Sequence, residues 1–181
     1  MSRRARFTRM FVWVSVVAWG LLVGGKLFDL RVLVGAWSAS PPESLSLLPY
    51  GPRFPVDTGE YFLPSSVGLL VCSIGGLVAG WNTPWSFRAL LALPAVMLLI
   101  TLAFTVLWFW PANAALWAVA RGAPKAIADS AEIAELVRRW VIYDWLRVAV
   151  GMTGFVCSIR ALSIPFPFPP IAPEHGRTTA A

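Results

Sequence analysis

A charged pair stands inside a stretch otherwise fit for lipid. Asp144 and Arg147 lie three residues apart in Trp140-Val-Ile-Tyr143-Asp144-Trp145-Leu-Arg147, at the head of a long apolar run. Lys26, Asp29 and Arg31 occupy the far end of the first apolar run. Residues three apart share one face of a helix, so Asp144 and Arg147 can pair, and Lys26 and Asp29 can join them. Charge inside a membrane span is costly, and it marks either a functional site or a neutralised network that fixes helix register. A carboxylate and a guanidinium in such a place are candidates for catalysis or for binding a polar group.

Lipid is the expected solvent because 57% of the residues are hydrophobic and only 13% are charged, with a positive mean hydropathy. That balance leaves too little polar surface for a small water-soluble globule. The ten tryptophans fit membrane interfaces, and the net charge of +6 is read as a topology signal rather than as a nucleic-acid surface. Cys72 and Cys157 fall at different depths, so no disulfide is expected. His175, the single histidine, lies in the proline-rich tail, and no cluster of His, Cys or inward carboxylates suggests a metal site. No cofactor is expected.

An all-α, four-helix transmembrane bundle follows, with a membrane domain over residues 1–164 and a flexible tail over 165–181. The predicted spans cover about residues 10–34, 65–81, 86–110 and 140–164. Arg3, Arg4, Arg6 and Arg9 precede the first span. It resembles a signal peptide, but the apolar pattern continues past Gly24 and Gly25, and the small residues at Ser38-Ala39-Ser40 lie too far on, which favours a helix. The loop over residues 40–64, rich in proline, can be a lid or a connector. Gly68, Cys72, Gly76 and Gly80 form a smooth stripe on the second span, fit for close packing on a neighbour, and Gly68, Gly76 and Gly80 offer one surface for a membrane-protein partner. Pro94 is expected to kink the third span, and Thr101 and Thr105 can bond backbone or a neighbouring helix. Lys125, Asp129, Glu132, Glu135 and Arg139 mark one wet face of a short amphipathic helix before the fourth span.

Four spans place both termini on one side. Arg3, Arg4, Arg6, Arg9, Arg88, Arg160 and Arg177 would share it, against Arg53, Arg121, Lys125, Arg138 and Arg139 opposite. This asymmetry predicts cytoplasmic termini and a multi-pass protein of a cell membrane, expected to be a bacterial inner membrane. Asp29 is then about 28 Å along the first helix from Met10, at ~1.5 Å per residue. Asp144 enters from the same outer end, about 6 Å inside Trp140. Asn113 ends the third span at that level, and Trp37, Trp110, Trp140 and Tyr143 can wall the cluster. Polar groups from three helices at one depth predict an outward-facing pocket for a flat, hydrophobic aromatic molecule. Asn113 equally suits an interhelical hydrogen bond, and the aromatic rings an interfacial belt.

The stretch from Phe104 to Arg160 resembles the anthrone oxygenase-like membrane proteins. Pro111-x-Asn113 with Leu116 follows a long third span; a charged connector comes next, and Trp140 then precedes Arg147. Gly25-Lys-Leu-Phe28 and the proline-containing loop are compatible. The resemblance implies a four-helix membrane fold and oxidation of an anthrone, or a related phenolic or quinol compound, by molecular oxygen without metal or flavin. It makes Asp144, Arg147 and Lys26 the candidate catalytic groups, with Asp29, Asn113, Trp110, Trp140 and Tyr143 around the substrate. The position between the family's Trp and Arg varies, so Asp144 as base is particular to this chain. A non-catalytic membrane subunit and a lipid- or quinone-binding protein are the competing readings.

Overall fold

A computed structural model describes residues 3–49, 58–124 and 126–165. Among them all regular structure is helical, and four helices are long and apolar enough to cross a membrane. We number them α1 (Arg3–Trp37), α2 (Thr58–Ala79), α3 (Trp85–Ala120) and α4 (Ser130–Ser163). α1 packs on α2 and α4, and α3 packs on the same two, so the helices form a square in which neighbours in sequence are neighbours in space.

All four helices outrun the expected spans, and α2, α3 and α4 do so for local reasons. α3 does not end at Trp110. A π-turn over Thr105–Phe109 precedes Pro111, and the Trp110 N–H reaches back five residues to the Thr105 carbonyl. Proline cannot donate this ladder bond and crowds the preceding turn, and the wider π-turn accommodates it. The helix therefore runs on to Ala120 and ends at Gly122, whose φ of 63° suits glycine. There Ala123 N–H bonds the Ala118 carbonyl and Gly122 N–H that of Val119, which satisfies the last carbonyls. The amphipathic segment and the fourth span are likewise one helix, begun by Asp129, whose side chain accepts from Ala131 N–H at 2.9 Å. α2 starts at Thr58 and carries Pro64 within it. Lys125, residues 50–57 and the tail from residue 166, including Arg53, Asp57, His175 and Arg177, lie outside the described residues.

The glycines do their packing inside the chain. A Cβ on Gly76 would meet Phe11 of α1 at 3.4 Å, and one on Gly80 would lie 2.5 Å from Leu91 of α3. These two positions are therefore covered by the chain's own helices rather than offered to a partner, whereas Gly68 is exposed with open space before it. On α4, Gly154 lies directly under Trp19, where a Cβ would come within 2.5 Å of the indole.

The end of the bundle away from the termini is closed by the loop after α1. A 3₁₀ turn over Glu43–Leu47 folds back, held by Ser44 Oγ donating to the Trp37 carbonyl at 2.6 Å. Leu45 and Leu48 are fully buried there against Trp37, Leu116 and Trp140. This half of the loop is thus a plug. The tryptophans divide between two uses: Trp13, Trp81, Trp85, Trp110 and Trp145 are exposed, as an interfacial belt requires, while Trp37 and Trp140 are core.

Candidate functional site

At the level where α1 and α3 each carry a π-turn, four charged side chains meet. The first π-turn, Asp29–Leu33, begins on Asp29, and the second begins on Thr105. A π-turn inserts one residue and so re-aims the side chains around it, which is why such turns recur at functional sites. Lys26 Nζ lies 2.7 Å from Asp29 Oδ2 and 3.3 Å from Asp144 Oδ1. Arg147 donates from both Nε, at 2.9 Å, and Nη2 to that same Asp144 oxygen. Its Nη1 donates to Thr105 Oγ1 at 3.0 Å, and the threonine hydroxyl donates in turn to the Thr101 carbonyl at 2.8 Å. Two cations and two carboxylates from α1 and α4 are thus joined into one network, with α3 attached through Thr105.

Asp144 is completely buried and Asp29 almost so; Lys26 is the most accessible of the four, with its side chain 17% exposed. Both cations address Oδ1 of Asp144. Its other oxygen, Oδ2, is buried with no hydrogen-bond partner among the described residues. A buried acceptor in that state is expensive, and it marks a position where a donor belongs.

Aromatic rings surround the network. Arg147 lies over the Phe109 ring, 3.8 Å from its centroid, and Lys26 lies 5.2 Å from the centroid of Phe62 and 6.0 Å from that of Trp140. Low-dielectric ring faces favour cations that have left water. Trp140 stacks edge-on against both Trp37 and Phe109, with centroids 5.0 Å apart in each case. Its indole N–H donates to Asn113 Oδ1 at 2.7 Å, so Asn113 ties α3 to α4.

The structure thus brings Lys26, Asp29, Asp144 and Arg147 together and places Trp140 and Asn113 beside them. It does not bring Trp110, which is 62% exposed on the outer surface. Tyr143 stands on a neighbouring stripe of α4, against Trp108 and Phe104 with centroids at 4.9 and 5.5 Å. Sequence reasoning missed Phe62 and Phe109, which lack any polar signature, and it gave Thr105 only a generic interhelical role. The signal for Thr105 lies in its position among apolar neighbours on the helix facing Arg147.

A small void and an open groove lie among the described residues, and neither is lined by the four charged groups. One, of about 10 Å³, lies nearer the termini between Ser15, Ser73, Pro94 and Ser158. The other is an open groove of about 370 Å³ at the plugged end, between Ser38 and Pro41 of the loop and Ala134, Val137, Arg138, Val141 and Ile142 of α4. Apart from Ser38 and Arg138 its walls are aliphatic where indole walls were expected, because Trp37 and Trp140 turn inward to fill the core. Val137, Val141 and Asp144 follow one another at i, i+4 and i+7, so the groove lies on the stripe of α4 that carries Asp144. Among the described residues no three His, Cys, Asp or Glu side chains converge.

A family model described as anthrone oxygenase matches residues 53–157, more than half of the chain. The matched stretch contains Thr105, Asn113, Trp140, Asp144 and Arg147, whereas Lys26 and Asp29 on α1 precede it. No curated relative and no solved structure matches the chain. By that match across α2, α3 and most of α4, the chain belongs to the anthrone oxygenase family.

Proposed function

We propose that this membrane protein is a cofactor-independent oxygenase of a polycyclic phenolic compound of the anthrone type, working at Asp144, Lys26 and Arg147. The observation that carries the reading is the unbonded Oδ2 of Asp144, buried beside two cations that both bind the opposite oxygen. A base needs a vacant oxygen, and the anion it creates needs positive charge at hand.

In this reading the substrate enters from the groove along the Val137 and Val141 stripe. Oδ2 takes a proton from the activated methylene carbon of the ring, leaving a carbanion whose charge is shared with the ring oxygen. Lys26, held to Asp144 at the longer distance of 3.3 Å, turns toward that oxyanion while Arg147 stays fixed by Thr105 and Phe109. Molecular oxygen accepts the electrons and bonds to the carbon, and the Asp144 carboxyl returns its proton to the peroxide. Loss of water from the hydroperoxide, with the second methylene hydrogen, leaves the quinone. One anthrone and one O₂ give one quinone and one water. Asp29 keeps Lys26 in place, and Trp140, held by Asn113, forms the adjoining apolar wall. With cytoplasmic termini the groove would face the opposite side of the membrane.

The test is oxygen uptake by the full chain in phosphatidylcholine vesicles supplied with anthrone, against protein-free vesicles, which report spontaneous oxidation. Uptake above that background with one O₂ per quinone formed is expected. Uptake equal to the background for anthrones and hydroquinones alike would leave the network a purely structural device, as in a non-catalytic subunit.

A further inference from the structure

We infer that the end of the bundle carrying the termini holds a binding site for the phosphate of an anionic phospholipid, centred on Arg88. The site does not depend on the proposed oxygenase reaction. Arg88 stands in the first turn of α3 with its guanidinium between two indoles, 5.6 Å from the ring centroid of Trp81 and 5.7 Å from that of Trp85. Both rings are strongly exposed, at 57% and 75%, so they belong to the boundary between acyl chains and headgroups. The Arg88 Nε is buried and has no hydrogen-bond partner among the described residues.

Among the described residues, what such a guanidinium ordinarily pairs with is missing from this end. The chain has no Asp or Glu in residues 3–28, 61–128 or 145–165. Yet this end gathers Arg3, Arg4, Arg6, Arg9 and Arg160 as well as Arg88. Its helices are in register: Arg9 Nη1 donates to the Ile164 carbonyl at 3.3 Å, and Phe87, Val12 and Ala161 pack in one cluster. Six cations with no carboxylate beside them among the described residues, next to exposed indoles, match the layer of lipid phosphates in charge and in depth. The other end supplies the contrast. Arg121 also lies on an indole, 5.8 Å from that of Trp117, but donates to the Trp117 carbonyl, and Asp129, Glu132 and Glu135 follow in the chain.

The experiment is native mass spectrometry of the full chain in detergent with equimolar phosphatidylglycerol and phosphatidylcholine of identical acyl chains. Phosphatidylglycerol is expected to be retained about fivefold more than phosphatidylcholine. Arg88→Gln should remove most of that preference, and Arg121→Gln should leave it intact. Equal retention of the two lipids by wild type, or equal losses in both variants, would overturn the site. Displacement of phosphatidylglycerol by millimolar inorganic phosphate would also overturn it, as that result describes a free-anion site. Should Arg88→Gln fail to fold, wild type in vesicles decides. Brominated phosphatidylglycerol should quench indole fluorescence more than brominated phosphatidylcholine, and Trp81→Phe/Trp85→Phe should abolish the difference; equal quenching by the two lipids counts against the site.

Discussion

The two halves of this bundle hold their helices together by different means. Toward the termini, helices approach through small residues: Gly76 against Phe11, Gly80 against Leu91, and Gly154 beneath Trp19. The hydroxyls of Thr8 and Ser158 bond back to their own helices. Toward the plugged end, helices are joined by side chains: Trp140 to Asn113, Arg147 to Thr105, Lys26 to Asp144. Close van der Waals contact is enough to pack helices in lipid. Charge and π-turns in the second half therefore exceed what packing demands, and that surplus locates the candidate site.

The sharpest way to break this contrast is to unbalance the network. Asp144→Ala removes the carboxylate between two cations, and breaking one partner of a buried ionic pair costs about 3–5 kcal/mol. Thermal unfolding in detergent should show the largest loss of any single change, and Asp144→Asn/Arg147→Gln should recover part of it. Gly154→Leu attacks the other half by driving a side chain into Trp19, at about 1–3 kcal/mol. Its effect should be confined to stability, with any oxygen uptake per folded molecule retained. Trp140→Phe keeps the ring packing but loses the hydrogen bond to Asn113, for about 1 kcal/mol in the same assay. Gly68→Ala, facing open space, should shift the unfolding midpoint within error. A large loss at Gly68 would mean that the exposed part of the glycine stripe is covered by something else.

Much of the architecture was legible in the chain because hydropathy reports lipid directly. Four helices and the pairing of Asp144 with Arg147 follow from apolar run lengths and a three-residue spacing. The ends of the helices did not follow. Pro111 reads as a stop, yet the π-turn before it lets α3 continue, and such a turn depends on contacts between helices that a single sequence does not display. The candidate site was legible in its charges and not in its surroundings. Lys26 reaching Asp144 could be anticipated from depth alone, whereas Phe62 and Phe109 are indistinguishable from ordinary core. Trp110 shows the reverse error: it is at the right level but on the wrong face, and helical phase is disturbed by the π-turn that ends one residue before it.

Outside the apolar part of α4, Glu135 illustrates how differently an exposed network behaves. Hydrogen bonds from Arg138 and then Arg139 lower the carboxyl of this half-exposed residue to about 2. Glu135→Gln should leave both stability and oxygen uptake unchanged between neutral pH and mild acid, because water screens such a pair. The buried network has no such screening, which is why the two can be told apart by substitution.

The measurement that bears most directly on the central claim is the rate of anthrone-dependent oxygen uptake by Asp144→Asn in vesicles, beside wild type and Gly68→Ala at equal amounts of folded protein. Asp144→Asn keeps the shape of the side chain and removes its capacity to accept a proton. The expected result is a fall of about 10²-fold or more toward the protein-free background, with Gly68→Ala at the wild-type rate. An Asp144→Asn protein that is folded and turns over anthrone as fast as wild type would contradict the account.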